Sequence, residues 1–385
     1  MQQTNKQTNK QTNKQTNKQT NKQTNKQTNK QTNKQISISI NKFCQAGGTE
    51  QYMLDLINGF TSHYPIPCYS TSFDKTLPEY KNIYPKLINL KIIPKKLRPI
   101  FFNSKLQKRK GLEEYLIGLN PIDNADLLIC GGTHTGYLKA MKKHTSIRDF
   151  LINYRYKKAY QSAKKIMAHS ELMKKELIEF YHIPQEKIDV IYPPIDTEKF
   201  YPDDQLAMEV RKAYGFNQDE IIFLFPSTGH KRKGLYILAN YFANTDLPIK
   251  LVVAGSKLRR PLKNVIELGF CKNMANLYRA CDSTIMAPRY EPFGLVGIES
   301  ILCGTKVIFP EEMGCVEVIK KDAGFFYPLK AIDQELPNII ENAVNQKRQN
   351  KHKIIEPLHH LNYDPNLSTH INKIMDLVNQ SLKTD

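Results

Sequence analysis

Short apolar strand patterns alternate with helical patterns twice over along this chain, and a double proline separates the two series. In the first series, "ISISI" (36–40) runs through a glycine turn into the helix "TEQYMLDLINGF" (49–60). "ADLLICGG" (125–132) precedes a helix over 135–143, and "KKIMAHS" (164–170) precedes "ELMKKELIEFY" (171–181). "KIDVIYPPIDTEKF" (187–200) reads as a strand that ends in Pro193-Pro194 and a linker. The second series has strands at "EIIFLF" (220–225), "IKLVVAG" (249–255), "NVIELG" (264–269), "STIMAP" (283–288) and "TKVIFP" (305–310), with helices expected from Lys233 and from Phe293. Alternation of this kind makes parallel sheets covered by helices. Two such sets around a proline-rich joint predict an α/β architecture of two doubly wound domains facing a cleft, with ligands at the carboxyl ends of the strands. The expected boundaries are 36–192, 193–362, and a C-terminal helix over 363–385 that packs back on the first domain. A chain of 385 residues, 40% apolar, has enough material for two such cores.

Residues 1–35 stand apart. From Gln3 to Lys34 the unit QTNK repeats eight times without an error and contains no apolar residue. Such a tract has nothing to bury and is expected to be disordered. A CAAA tetranucleotide read in triplets encodes Gln-Thr-Asn-Lys, so the tract also reads as a slippage-prone repeat whose gain or loss shifts the downstream frame. The alternative is a plain polar, solubilising tail. Removing its eight lysines from the formal net charge of +19 leaves +11, so the globular part is itself basic.

That charge concentrates in residues 81–110, "KNIYPKLINLKIIPKKLRPIFFNSKLQKRK", which hold ten Lys/Arg and no acid, with isoleucines and Phe101-Phe102 interleaved. Basic residues attract an anionic leaflet, and aromatic residues enter its interface. The expected partner is therefore an anionic inner-membrane surface, against a solvated basic face as the plain reading. No helix-turn-helix, zinc-finger or RNP pattern supports nucleic acid. No run of 18 apolar residues offers a bilayer span, and no apolar h-region suggests a signal peptide. Seven scattered cysteines without a CxxC pair read as reduced core residues, not zinc ligands. The expected location is cytoplasmic, peripheral on the inner face of the plasma membrane.

The stretch "RYEPFGLVGIES" (289–300) carries the chemistry. It follows a strand and enters a helix, so the amides of Gly294, Leu295 and Val296 form an anion site suited to a diphosphate. Gly294 lets the backbone approach the ligand. Glu291 and Glu299 then face hydroxyls on opposite sides of the phosphates, the layout of a sugar and a ribose in a nucleotide-sugar. Carboxylates are strong acceptors for such hydroxyls.

"YEPFGLVGIESILCGTKVI" resembles the E-x7-E motif of retaining GT-B glycosyltransferases of family 4. The likeness extends through "CQAGGTEQYMLDLINGF", "IMAHSELMKKELIEFYHIPQEKIDVIYPPIDTEKF", "GHKRKGL" and "YRACDSTIMAPRYEPFGLV", from Ile36 to about Tyr327. It is nearest to the subgroup that builds lipopolysaccharide or lipooligosaccharide cores. The resemblance implies two Rossmann-like domains around the cleft, a nucleotide-sugar donor (a UDP-sugar), a lipid-linked oligosaccharide acceptor, and retention of configuration without a metal or cofactor.

Carried onto this chain, the resemblance gives Glu291 and Phe293 to the donor sugar side and Glu299 to the ribose. Arg232 and Lys233 would neutralise the departing diphosphate in place of a metal, or would simply begin a surface helix. Phe270, after Gly269, falls where the family seats the base, or is a core phenylalanine. Gly47 and Gly48 form the tight turn after the first strand, beside the diphosphate. His134, after the fourth strand and pointing into the cleft, is the candidate active-site histidine, against a histidine capping the next helix. His169 and His144 are weaker candidates. A capsule or glycolipid acceptor, a nucleotide-sugar epimerase of the same shape, an oxidoreductase and a non-enzymatic surface protein are the competing classes. "AGGTEQ" lacks the third glycine that a dinucleotide fingerprint needs.

Overall fold

The computed structural model describes residues 34–60, 65–217, 219–227, 229–255, 258 and 260–383. The QTNK tract before Lys34 lies outside them. The first lobe is built from β1 (Gln35–Ser39), α1 (Gly48–Phe60), β2 (Ile66–Ser70), β3 (Ile83–Leu87), α2 (Arg98–Arg109), β4 (Glu114–Gly118), β5 (Leu127–Cys130), α3 (His134–Ala140), α4 (Ile147–Ser162), β6 (Lys165–Ala168), α5 (Glu171–Tyr181) and β7 (Ile188–Val190). The second lobe contains α6 (Asp204–Ala213), β8 (Ile221–Ser227), α7 (His230–Lys233), α8 (Leu235–Asn244), β9 (Ile249–Gly255), β10 (Val265–Gly269), α9 (Met274–Ala280), β11 (Ser283–Ile285), α10 (Leu295–Leu302), β12 (Lys306–Pro310), β13 (Gly324–Tyr327) and α11 (Ile332–Arg348). The chain ends in α12 (Leu367–Lys383).

Both sheets are parallel throughout. Their orders are β3-β2-β1-β4-β5-β6-β7 and β10-β9-β8-β11-β12-β13. In each sheet the order reverses beside the lobe's first strand, β1 in one and β8 in the other. Crevices open at such switch points. The loops after β1, β8 and β11 therefore mark the cleft before any side chain is considered.

Apolar strands make the two cores. Phe223, Leu224, Phe225, Val252, Ile285, Val307 and Ile308 are fully buried in the second lobe, as near-continuous hydrophobic strands of a two-sided parallel sheet should be. In the first lobe Ile38, Ile117, Leu127 and Met167 anchor one face, and Leu116, Leu128, Ile166 and Tyr160 the other. The helix α12 crosses back onto α1. Ile371 and Ile374 join the core beside Leu56 and Ile57, and Tyr52 Oη lies 2.7 Å from His370 Nε2. Burying each such aliphatic side chain contributes about 1.5–3 kcal/mol.

Several expectations need correction. Gln35 belongs to β1 rather than to the tail. It sits opposite Glu114, and its N–H donates to Glu113 O at 2.7 Å. Backbone pairing needs no apolar side chain, so the glutamine that follows the repeat is taken into the sheet. His134 follows the fifth strand, not the fourth. The extra strands β2, β3 and β4 include "IPCYS" and "IYPKL", whose prolines weaken the strand pattern, and Pro85 is tolerated because β3 is an edge. The helix expected from Lys233 instead starts at His230, breaks at Gly234 and resumes at Leu235. The helix expected from Phe293 begins at Leu295.

Candidate active site

Two loops of the second lobe are stitched together at the switch point. The N–H of Ala287 donates to Lys233 O at 3.2 Å, and that of Arg289 donates to Arg232 O at 2.9 Å. Gly234 makes this approach possible. Its φ is +79°, and a Cβ there would lie 2.0 Å from Ala287 O. No other residue type fits both conditions. The loop after β8 is thereby held against the loop after β11, and side chains from both converge.

They converge on Glu291. Arg232 Nη1 donates to Glu291 Oε2 at 2.9 Å and to the backbone oxygen of Tyr290 at 2.7 Å. Lys233 Nζ lies 3.9 Å from the same Glu291 oxygen. Burial pushes the Lys233 ammonium below its ordinary pKa, while Glu291 pulls it partly back and Arg232 opposes it. Two cations thus share one carboxylate, and one positive charge is in excess. An anion arriving beside them meets a site already organised for it.

Gly294 has a φ of +94° and caps α10 without any side-chain cap. A Cβ there would approach Met313 Cε to 2.8 Å and Glu291 Cγ to 3.1 Å. The uncapped amides of Leu295 and Val296, just after the loop whose Glu291 holds two cations, suit a phosphate oxygen. One turn further on, Glu299 accepts from the Tyr278 hydroxyl at 2.8 Å. Burial raises the Glu299 carboxyl above its ordinary pKa, and Tyr278, Lys199 and Lys233 pull it back. Tyr278 is the partner that sequence reading missed. Its place on α9, 21 residues before Glu299, carries no local signal.

The remaining expected residues divide. Phe270 is 78% exposed just after β10, free to stack on a planar ring and not part of the core. Phe293 is turned inward, 5% exposed and stacked on Tyr192 at 6.0 Å between centroids. It supports the loop from behind instead of facing the cleft. Gly47 and Gly48 lie between β1 and α1, where the Gly47 N–H donates to Glu50 Oε2 at 3.1 Å. Glu50 therefore closes this turn.

His134 is paired with a carboxylate. It opens α3 with its Nε2 2.8 Å from Asp149 Oδ1 and its ring against Tyr156. Asp149 is the capping-box acid of α4. Ser146 first, and then His134, hold its carboxyl down to about 2. The local reason is the short α3–α4 connection, which brings a helix-start acid back to the histidine. His144 is exposed in that connection. His169, at the end of β6, is buried edge-on against Tyr52, and burial lowers its pKa to about 4. Its Nε2 has no hydrogen-bond partner among the described residues.

The first lobe meets the loop after β11 directly. Ser170 Oγ donates to Pro292 O at 2.7 Å. Tyr290 Oη lies 2.8 Å from Glu176 Oε2 and accepts from the Thr133 N–H at 3.1 Å. No group of three or more His, Cys, Asp or Glu capable of holding a metal occurs among the described residues.

Two family models divide the chain between them: Glycosyltransferase Family 4 over residues 46–199, and Glycosyl transferases group 1 over residues 208–356. A probable transglycosylase of Burkholderia thailandensis is 35% identical over 354 residues, covering 89% of this chain and 96% of its own length. The chain is a family 4, group 1 glycosyltransferase. An uncharacterized glycosyltransferase of Methanocaldococcus jannaschii is 26% identical over 66% of the chain and 74% of its own length. Among solved structures, the glycosyltransferase shares its fold with WaaG, described as involved in lipopolysaccharide biosynthesis. That match has a TM-score of 0.70 at 16% identity and covers 89% and 99% of the two chains. Anabaena HepE, in complex with UDP and glucose, matches at 0.69 and 18% identity, covering 90% and 99%. At those identities the likeness shows the GT-B fold alone, and the cleft loops of this glycosyltransferase are the switch-point loops of that fold.

Proposed function

We propose that this glycosyltransferase moves a hexose or heptose from a UDP-sugar to a lipopolysaccharide or lipooligosaccharide core oligosaccharide, with retention of configuration and without a metal. The observation that carries the donor half is the pair Arg232 and Lys233 sharing Glu291 in front of the uncapped start of α10. Such a set takes a diphosphate: the cations turn to the phosphate oxygens and Glu291 is released to the sugar hydroxyls. UDP in a neighbour of the same fold supports the choice of nucleotide. WaaG supports the acceptor class.

In this reading the bond between the anomeric carbon and the diphosphate oxygen breaks as the acceptor oxygen approaches on the same face. The acceptor proton passes to the departing diphosphate oxygen. Arg232, Lys233 and the α10 amides carry the charge that develops there. Glu299 holds the ribose, and Phe270 stacks on the base. The enzyme works at the cytoplasmic face of the inner membrane, drawn there by the basic segment 81–110, and no helix among the described residues is long and apolar enough to cross a bilayer. The QTNK repeat switches expression on and off through frame changes. Repeat number and glycan mass in single colonies then change together, and independent variation sinks that part.

The deciding experiment is UDP release from a panel of UDP-sugars, with and without de-acylated core oligosaccharide. Acceptor-dependent release with a product of added sugar mass supports transfer. Acceptor-independent sugar inversion would make the enzyme an epimerase.

A further inference from the structure

The helix α4 leaves its apolar side uncovered over its first two turns. Ile147, Phe150, Leu151 and Tyr154 are 84%, 65%, 57% and 62% exposed. Their spacing of three, four and seven residues puts them on one stripe of the helix. A different side holds the helix to the lobe: Asn153 Oδ1 accepts from the Thr135 and Tyr181 hydroxyls at 3.0 and 3.3 Å, while full burial begins only at Ala159 and Tyr160. A full capping box of Ser146 and Asp149 holds the N-terminal half helical. The stripe is thus a formed, rigid apolar surface with nothing over it among the described residues.

Its surroundings are of one sign. Residues 139–158 contain seven Lys/Arg and one acid, Asp149. That acid is already committed to Ser146 and His134. The start of α2 shows the same pattern, with Leu97 just before it and Ile100 and Phe101 in its first turn between 40% and 51% exposed. Asp123 bridges α2 and the later part of α4: its N–H donates to Asn103 Oδ1 at 2.9 Å, and Lys158 Nζ reaches its carboxylate at 2.7 Å. An apolar stripe rimmed by cations complements a surface that is anionic outside and apolar beneath. Through His134, the same stripe begins beside the loop that follows β5 at the cleft edge.

We infer that the exposed stripe of α4, with Lys142 and Lys143 beside it, is the element that enters an anionic lipid surface and sets the cleft mouth against it. The inference rests on the membrane-linked reading above and assigns its contact to a helix outside the basic segment 81–110.

The test uses the full chain and vesicles of phosphatidylglycerol with phosphatidylcholine, or of phosphatidylcholine alone. Wild type should bind the anionic vesicles, and binding should fall as salt shortens the screening length. The double substitution Phe150→Ser with Leu151→Ser should lower vesicle affinity on the order of tenfold. Lys142→Gln with Lys143→Gln should do the same at low salt. All four side chains lie outside the catalytic loops, so UDP release with de-acylated acceptor in free solution should stay at the wild-type rate. Unchanged vesicle binding in both variants, or equal binding to neutral vesicles, overturns the inference. So does a wild-type dimer, by light scattering, that Phe150→Ser with Leu151→Ser dissolves, because the stripe would then belong to a second copy. Failure of sugar transfer to the free acceptor by wild type would instead overturn the proposed reaction, and vesicle binding is read without it.

Discussion

Tyr290 reaches out of the second lobe and places its hydroxyl 2.8 Å from the Glu176 carboxylate of the first. It is 8% exposed, and it immediately precedes Glu291. Its backbone oxygen accepts from Arg232. One residue therefore links the first lobe to Arg232 and Glu291, so its position bears on how the two lobes meet around Glu291. Burial raises the Glu176 carboxyl above its ordinary pKa, while Thr133 and Tyr290 pull it down by donating to it.

Tyr290→Phe keeps the ring and removes that link. A lost hydrogen bond to a buried charged group costs about 1.5–3 kcal/mol. Turnover should fall on the order of tenfold or more, while UDP affinity by calorimetry stays within about twofold, since no nucleotide contact is touched. The pH response has a definite sign. Glu176 has a folded pKa above its unfolded one, so its stability contribution is present at low pH and is lost as pH rises from the unfolded to the folded value. Tyr290→Phe removes a group that lowers this pKa, so the window should widen upward and the variant should lose more stability above it than wild type. Thermal melts across pH 4–8 read this directly, and an unchanged profile would refute the link.

Glu299 and Tyr278 form a second testable pair. Glu299→Ala removes the carboxylate proposed to accept from the ribose and should weaken UDP about ten- to a hundredfold, the equivalent of about 1.5–3 kcal/mol. Tyr278→Phe leaves the carboxylate but frees it to rotate, so UDP binding should weaken by less than in Glu299→Ala. Its pH dependence should also move. The Tyr278 hydroxyl lowers the Glu299 pKa, and without it the carboxyl stays protonated to higher pH. UDP affinity should then be lost at higher pH on acidification. Equal affinities for both variants at every pH would remove Tyr278 from the site.

The sequence made much of the site legible because its chemistry is local. Glu291, Gly294 and Glu299 lie within nine residues, and strand–turn–helix context is enough to aim backbone amides at an anion. Arg232 and Lys233 were readable for the same reason, as they follow a strand and precede a glycine. What was not legible is held by long-range contacts. The Tyr278–Glu299 and Tyr290–Glu176 bonds span 21 and 114 residues. The partner of His134 was likewise out of reach of its local pattern: a carboxylate 15 residues away holds its Nε2. The strands β2 to β4 were obscured by proline and by a basic stretch that reads as surface, yet β2 and β4 pair with β1, and β3 adds to β2 as an edge strand.

Gly234 should be among the least replaceable residues of the second lobe. Gly234→Ala places a Cβ 2.0 Å from Ala287 O on a backbone with φ of +79°. The left-handed conformation alone costs about 1–2 kcal/mol, and the overlap is with backbone, which cannot swing aside. The loops after β8 and β11 must separate, taking Arg232 and Lys233 away from Glu291. Lower melting temperature and loss of UDP binding should appear together. A variant that melts like wild type but binds UDP normally would show that the stitched loops do not place the cations.

The shared carboxylate makes the sharpest prediction about the donor. In the structure Glu291 is shared by Arg232 and Lys233, so a diphosphate must compete with it for both cations. Glu291→Ala removes the competitor. UDP affinity should therefore be retained or rise by a few-fold, while turnover falls about a hundredfold or more, because the sugar loses its orienting acceptor in the transition state. Glu291→Gln should keep part of the turnover, since an amide oxygen still accepts from a hydroxyl. Lys233→Ala should act oppositely on binding. It removes the buried cation whose pKa burial lowers, so UDP affinity should fall, and turnover with it, through lost stabilisation of the leaving diphosphate. The pH sign follows from the same shift. As pH rises toward the lowered Lys233 pKa, wild type should lose UDP affinity, whereas Lys233→Ala should lose none over that interval. Calorimetry at two pH values with steady-state rates separates the roles. Should Glu291→Ala lose UDP binding as severely as Glu299→Ala, Glu291 is no competitor for the cations and the division of labour proposed for the two glutamates is wrong.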